Sequence, residues 1–164
     1  MRYKGLLYRA LNPVYARSPL SGAGAQKYGG RFNRVGREAL YTSLAPDTAL
    51  REANQVGTLQ PTTLVALRAD VGPVVDARDP EFLAMHRFTE AMITDPAWRA
   101  RMLRGEPVPT QDLADALVAE GFAGILVPSF ARSASVAATN LVLWKWEGML
   151  SLIDDDDRLG ITRH

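Results

Sequence analysis

Short apolar runs, rather than long amphipathic helices, set the limits on what this chain can fold into. Residues 5–10, 39–43, 62–69, 74–75, 124–127 and 141–146 are apolar or β-branched stretches of strand length. Helical spacing is found in three places. A segment over 47–55 starts at Ser43 or Pro46-Asp47 and stops at Gly57. A second over 79–104 repeats Phe82, Met85, Phe88 and Met92, breaks near Asp95-Pro96 and ends at Gly105. A third follows Thr110, read as its N-cap, and runs through Leu113, Ala114, Leu117 and Val118 to Gly121. Residues 11–30 read as loop, with Pro13, Pro19 and four glycines. Strands outnumber the recognisable strand–helix–strand units, so a mixed α+β architecture is expected instead of a doubly wound parallel sheet.

At 164 residues the chain suits one domain, and a 47% hydrophobic content is enough to build a core. The absence of cysteine excludes disulfides, thiolate nucleophiles and Cys-bound zinc. The two histidines, His86 and His164, do not make a metal centre, so no metal is expected. A Ser-His-Asp hydrolase would depend on His86, which lies on the Phe82–Phe88 stripe and reads as packing. No run of about 18 apolar residues predicts a membrane span, and the N-terminus lacks signal-peptide form. The cytoplasm is the expected compartment.

The net charge is only +1, but residues 1–37 hold eight Lys or Arg and no acid, while Asp154 to Asp157 form an acidic run. The basic segment is either a solvated face or a surface that meets an anion such as a nucleotide phosphate. A nucleic-acid-binding toxin or ribonuclease using this region is the main alternative function. A non-enzymatic module, with residues 131–138 and Trp144/Trp146 at an interface, is another. Those tryptophans read more simply as strand core. The glycine-rich stretch Gly22 to Gly30 lacks the Gly-Lys-Ser/Thr of a phosphate loop, and Lys27 stands where a dinucleotide fingerprint needs its third glycine.

Three polar residues remain in informative settings. Arg31 follows Gly29-Gly30, which let the backbone turn sharply and a ligand approach, and its planar fork suits phosphate or carboxylate. Tyr41 sits within a strand, where its ring is either core or a stacking surface for a flat group. Glu52 lies about 40–60° around the helix from Ala49 and Val56, at the border of a small apolar face.

The ordered set Tyr8-Arg9, Ser21-Gly22, Gly29-Gly30-Arg31-Phe32-Asn33, Gly36, Leu40-Tyr41-Thr42-Ser43 and Ala49-Leu50-Arg51-Glu52 resembles the RES domain. So do Gly124-Ile125-Leu126-Val127-Pro128-Ser129, Asn140-Leu141-Val142-Leu143-Trp144 and the acidic ending before Arg158-Leu159. The resemblance spans residues 3 to about 159. It implies an ADP-ribosyltransferase-like mixed sheet with flanking helices. It implies a type II toxin that consumes NAD⁺ as substrate, with no tightly bound cofactor, by phosphorolysis, hydrolysis or ADP-ribosyl transfer to a host protein. Its implied partners are an Xre-like helix-turn-helix antitoxin and a second copy in a dimer. By position, the resemblance makes Arg31, Tyr41 and Glu52 the catalytic set, with Arg31, Tyr41, Ser43, Ser129, Ser133 and Asn140 contacting NAD⁺. Ser133-Ala134-Ser135-Val136-Ala137-Ala138 replaces the family's usual glycine pair, so Ser129, Ser133 and Ser135 all stay open as the family serine.

Overall fold

A computed structural model of the chain describes residues 1–54, 58–131 and 134–161. Seven strands form its centre: β1 (Tyr3–Leu11), β2 (Leu40–Ser43), β3 (Thr63–Val71), β4 (Val74–Asp76), β5 (Gly124–Pro128), β6 (Thr139–Leu143) and β7 (Leu150–Leu152). They join one sheet in the order β4-β5-β6-β2-β1-β3-β7. The β4–β5 pair is parallel and the other named pairs are antiparallel. Six short helices flank the sheet: α1 (Ala23–Tyr28), α2 (Pro46–Ala53), α3 (Pro80–Met85), α4 (Glu90–Thr94), α5 (Trp98–Leu103) and α6 (Pro109–Ala119). This is the mixed α+β arrangement expected from the sequence.

Strand alternation divides the core in two. Leu7, Leu40, Leu67, Leu126, Leu141 and Leu143 point to one face, where Leu20, Trp146 and Met149 cover them. Ile125, Val127 and Val142 point to the other, against Leu113, Ala114 and Leu117 of α6 and the buried Phe32. Because the period is two, Tyr41, Ser43, Asn140 and Val142 share that second face. This is where the cleft described below opens.

Several local expectations are corrected. The segment 11–30 is not all loop: a 3₁₀ turn spans Pro13–Tyr15, capped by the Asn12 side chain, and α1 follows. Thr110 is not the N-cap of α6. Pro109 takes a first-turn position, Val108 is the extended cap residue, and the Thr110 hydroxyl instead donates to the Arg31 carbonyl at 2.6 Å. The 79–104 stretch is three helices because capping groups restart the chain twice. Asp79 and Thr89 cap α3 and α4, and Asp95 accepts from the Ala97 N–H. The strand at 141–146 ends at Leu143, and Trp144 and Trp146 lie beyond it. β7 pairs with β3 at Leu67–Ala69; three residues are too few to show a period in sequence. The helix stop at Gly57 and the apolar position Val56 lie outside the described residues, as do Ser133 and His164.

The N-terminal cations do not form one surface. Arg2 and Lys4 pair with Asp70, Arg34 and Arg37 pair with Asp112 and Asp115 of α6, and Arg31 turns into the cleft.

Candidate active site

The site is built on the loop 29–33. Gly29 sits at φ +73°, which favours glycine, and turns the chain out of α1. A side chain at Gly30 would collide with the Tyr41 hydroxyl and the Asn33 amide oxygen. The glycine pair therefore serves a close approach of protein to protein. Asn33, fully buried, holds the turn by donating to the carbonyls of Ala25 at 2.8 Å and Arg37 at 3.0 Å. From outside the loop, the Gln111 amide donates to the Gly30 carbonyl at 2.9 Å, and the Trp144 indole N–H donates to the Phe32 carbonyl at 2.8 Å. Every carbonyl from Gly30 to Phe32 thus meets a side chain anchored elsewhere, since Thr110 holds that of Arg31.

Arg31 is consequently aimed, not merely exposed. Its guanidinium lies 4.0 Å over the Phe130 ring and 5.8 Å from that of Trp98. Nη1 donates to the Asp95 carbonyl at 2.6 Å, and among the described residues no ion pair or hydrogen bond uses Nε or Nη2. Burial lowers its pKa, while the fields of Glu52, Asp95 and Tyr41 act the other way. A cleft-lining guanidinium with nitrogens unused among the described residues is suited to an anionic oxygen.

The Tyr41 ring borders the cleft, and its hydroxyl is committed. It donates to Asn33 Oδ1 at 2.7 Å and accepts from the Phe32 N–H at 3.0 Å. Burial drives its pKa up, only partly opposed by the Phe32 N–H and Arg31, so the phenol stays protonated. Tyr41 therefore offers a ring face, not an acid or base.

Glu52 projects from α2 beside the buried Ala49, as the helical spacing anticipates. Among the described residues, one carboxylate oxygen, Oε1, accepts from four donors. These are the Ser129 hydroxyl, the Phe130 N–H at 2.9 Å, the Ala131 N–H at 3.2 Å and the Asn140 amide at 2.7 Å. Behind Asn140, the buried Ser43 hydroxyl donates to its Oδ1 at 2.8 Å. Ser43 and Asn140 line the cleft but spend these groups orienting the carboxylate. Ser129 is the serine of the described residues that meets Glu52; Ser133 is outside them.

Arg31, Tyr41, Glu52, Ser43 and Asn140 all line one cleft of about 480 Å³. That volume lies in the range of small-molecule sites. Sequence reasoning missed two of its walls. Phe130 supplies the platform for Arg31, and Trp98 with Arg99 enters from α5. Neither carries a local signal, because each becomes a site residue only through the packing of distant segments. Arg9, next to Tyr8, is half-buried at the cleft. It donates to the carbonyls of Pro19 and Ser21, pinning that loop, and desolvation lowers its pKa to about 10. No group of three or more His, Cys, Asp or Glu that could hold a metal ion occurs among the described residues.

The fold and the cleft define a class: an α+β protein with one mixed sheet, in which a donor-clamped carboxylate faces an arginine fork across an aromatic-walled pocket. The RES domain model matches residues 6–160, and the chain belongs to that family. No curated protein matches the sequence. Among solved structures, the M. tuberculosis MbcT–MbcA toxin–antitoxin complex contains a chain with the same fold. The TM-score is 0.66 at 19% identity, covering 94% of this chain and 84% of that one.

Proposed function

We propose that this protein is the toxin of a toxin–antitoxin pair and that it cleaves the nicotinamide–ribose bond of NAD⁺. The observation that carries this reading is the grip of four donors on a single Glu52 oxygen, at the wall of a cleft that also holds an arginine fork. A carboxylate oriented in this way suits a reaction in which positive charge grows on a sugar.

In the proposed step the ribose C1–nicotinamide N1 bond breaks, and its electron pair leaves with neutral nicotinamide. Glu52 faces the oxocarbenium-like sugar and accepts from its hydroxyls. Arg31 offers its unused edge to the diphosphate. Tyr41 frames the nicotinamide with its ring. Ser43, Ser129 and Asn140 act through Glu52, holding its carboxylate where the charge develops. The acceptor oxygen (of water, of phosphate or of a protein side chain) then bonds to C1 and loses its proton.

The partner is proposed to be an Xre-like helix-turn-helix antitoxin that fills the cleft, with the toxin paired as a dimer in the complex. The similarity in fold to a chain of the MbcT–MbcA complex supports an antitoxin as partner. NAD⁺ is read as substrate, with no tightly held cofactor, and the cytoplasm is the proposed compartment. No helix among the described residues is long and apolar enough to cross a membrane.

The test is purified protein with NAD⁺, with and without phosphate, followed by identification of the products. Release of nicotinamide by the wild type and its loss in Glu52→Gln support the reading. RNA cleavage without NAD⁺ loss would instead favour a ribonuclease.

A further inference from the structure

The three tryptophans of this chain do different work. Trp144 and Trp146 each donate their indole N–H to a loop carbonyl, of Phe32 at 2.8 Å and of Leu20 at 3.0 Å. Trp98 makes no such bond among the described residues, is half-exposed, and lies on the wall of the active-site cleft. A large aromatic ring with an unused polar handle at a cleft wall is a binding surface rather than packing.

Its neighbours indicate what it takes. Arg31 approaches the Trp98 ring at 5.8 Å and Arg99 at 5.0 Å, both farther than the 4.0 Å at which Arg31 covers Phe130. The other aromatic groups of the cleft are differently placed. Phe32 is fully buried, Tyr41 is tied through its hydroxyl, and Tyr8 pairs with Ser43 on the sheet, beneath the Glu52–Asn140 end. Phe130 carries Arg31 on its face, and Trp98 is the second aromatic beside that guanidinium. An indole flanked by two guanidinium groups matches a flat ring joined to an anion, which is the chemistry of a nucleotide. With bond cleavage assigned to Glu52, which binds the Phe130 N–H, the second base of a dinucleotide falls beyond Phe130 and Arg31, on the Trp98 side.

We propose that Trp98 is the stacking platform for the adenine base of the dinucleotide, with its indole N–H available to a ring nitrogen or ribose oxygen and Arg99 beside the adjoining phosphate. This rests on the reading of the cleft as an NAD⁺ site, and it adds a preference for nucleotides that carry the adenine base.

The experiment is calorimetric binding of AMP and of ribose 5-phosphate to the full chain and to its Trp98→Ala and Trp98→Phe variants. Base stacking predicts that the wild type binds AMP about 10- to 100-fold more tightly than ribose 5-phosphate. Trp98→Ala is expected to erase that advantage, and Trp98→Phe, which keeps a ring, to retain most of it. Equal binding of the two ligands by the wild type would overturn the proposal. So would an AMP advantage that survives in Trp98→Ala, or an equal loss of both ligands in that variant. Nicotinamide release from NAD⁺, measured on the same samples, separates the two claims. An adenine advantage that depends on Trp98, without nicotinamide release by the wild type, would sink the NAD⁺-cleavage reading alone. Nicotinamide release with an unchanged KM for NAD⁺ in Trp98→Ala would sink the stacking platform alone.

Discussion

Glu52 shows how much a single side chain can depend on groups remote from it in sequence. Its donors among the described residues come from 129–131 and 140, about 80 to 90 positions along the chain. Charge-assisted bonds of this kind are stronger than neutral ones and fix direction as well as position. Glu52→Gln keeps an acceptor oxygen and loses the charge, so folding is retained while nicotinamide release falls on the order of 10²- to 10³-fold. Wild-type turnover in that variant would remove Glu52 from the mechanism. Gly30 presents the opposite case, a residue valued for having no side chain. Gly30→Ala pushes a methyl group against the Tyr41 hydroxyl and Asn33, which costs about 1–3 kcal/mol. Urea denaturation measures that loss, and an unchanged midpoint would mean the loop yields freely. In sequence, Gly29-Gly30 announced an unusual backbone but not its reason. The reason is a tyrosine on β2, visible only once the strand is in place.

At the scale of elements, α6 does more than cover the sheet. Its first turn places Thr110 and Gln111 against the carbonyls of Arg31 and Gly30, and its outer face gives Asp112 and Asp115 to Arg34 and Arg37. The helix holds both ends of the segment that carries the arginine fork. Gln111→Leu leaves the Gly30 carbonyl with only the longer bond from the Asn33 N–H at 3.4 Å, a loss of about 1 kcal/mol. The same variant loosens Arg31, so the KM for NAD⁺ is expected to rise. Kinetics that stay unchanged while stability falls would restrict α6 to a supporting role. The helix itself was legible from its apolar spacing at Leu113, Ala114 and Leu117. Its partnership with the loop was not, because the contacts join positions about 80 residues apart.

For the molecule as a whole, an ion pair adds to the strand pairing that holds the parallel edge on the sheet. Asp76 at the end of β4 meets Arg78, whose Nη1 reaches the Thr139 hydroxyl at the start of β6 at 3.0 Å. The bonds from Arg78 hold the Asp76 pKa below its ordinary value, against the opposing effect of burial. A depressed carboxylate pKa adds stability above the unfolded-state value, and that stability is lost as pH falls through the folded-state value. Asp76→Asn should therefore be less stable than the wild type at pH 7, and the gap in melting temperature should close towards pH 3. A gap that stays constant with pH would show that the pair contributes no linked protonation. The proposed antitoxin belongs to this scale as well. If it fills the cleft, adding it blocks nucleotide binding, and simultaneous binding of both would defeat that arrangement.

The sequence by itself determined the strand-dominated α+β class and the places of its helical segments, and it singled out Arg31, Tyr41 and Glu52, which line one cleft. Apolar periodicity and an ordered motif set are local properties that survive without coordinates. Only the tertiary structure decided what those residues touch. It showed that the Tyr41 hydroxyl is tied to Asn33 and Phe32, that Ser43 and Asn140 serve the carboxylate, that four of the eight N-terminal cations are taken up in ion pairs, and that Trp98 and Phe130 wall the cleft. Each of these depends on groups distant in sequence meeting at hydrogen-bonding or packing distance. Such meetings are fixed by the register of the sheet and the docking of helices on it, which no local pattern encodes.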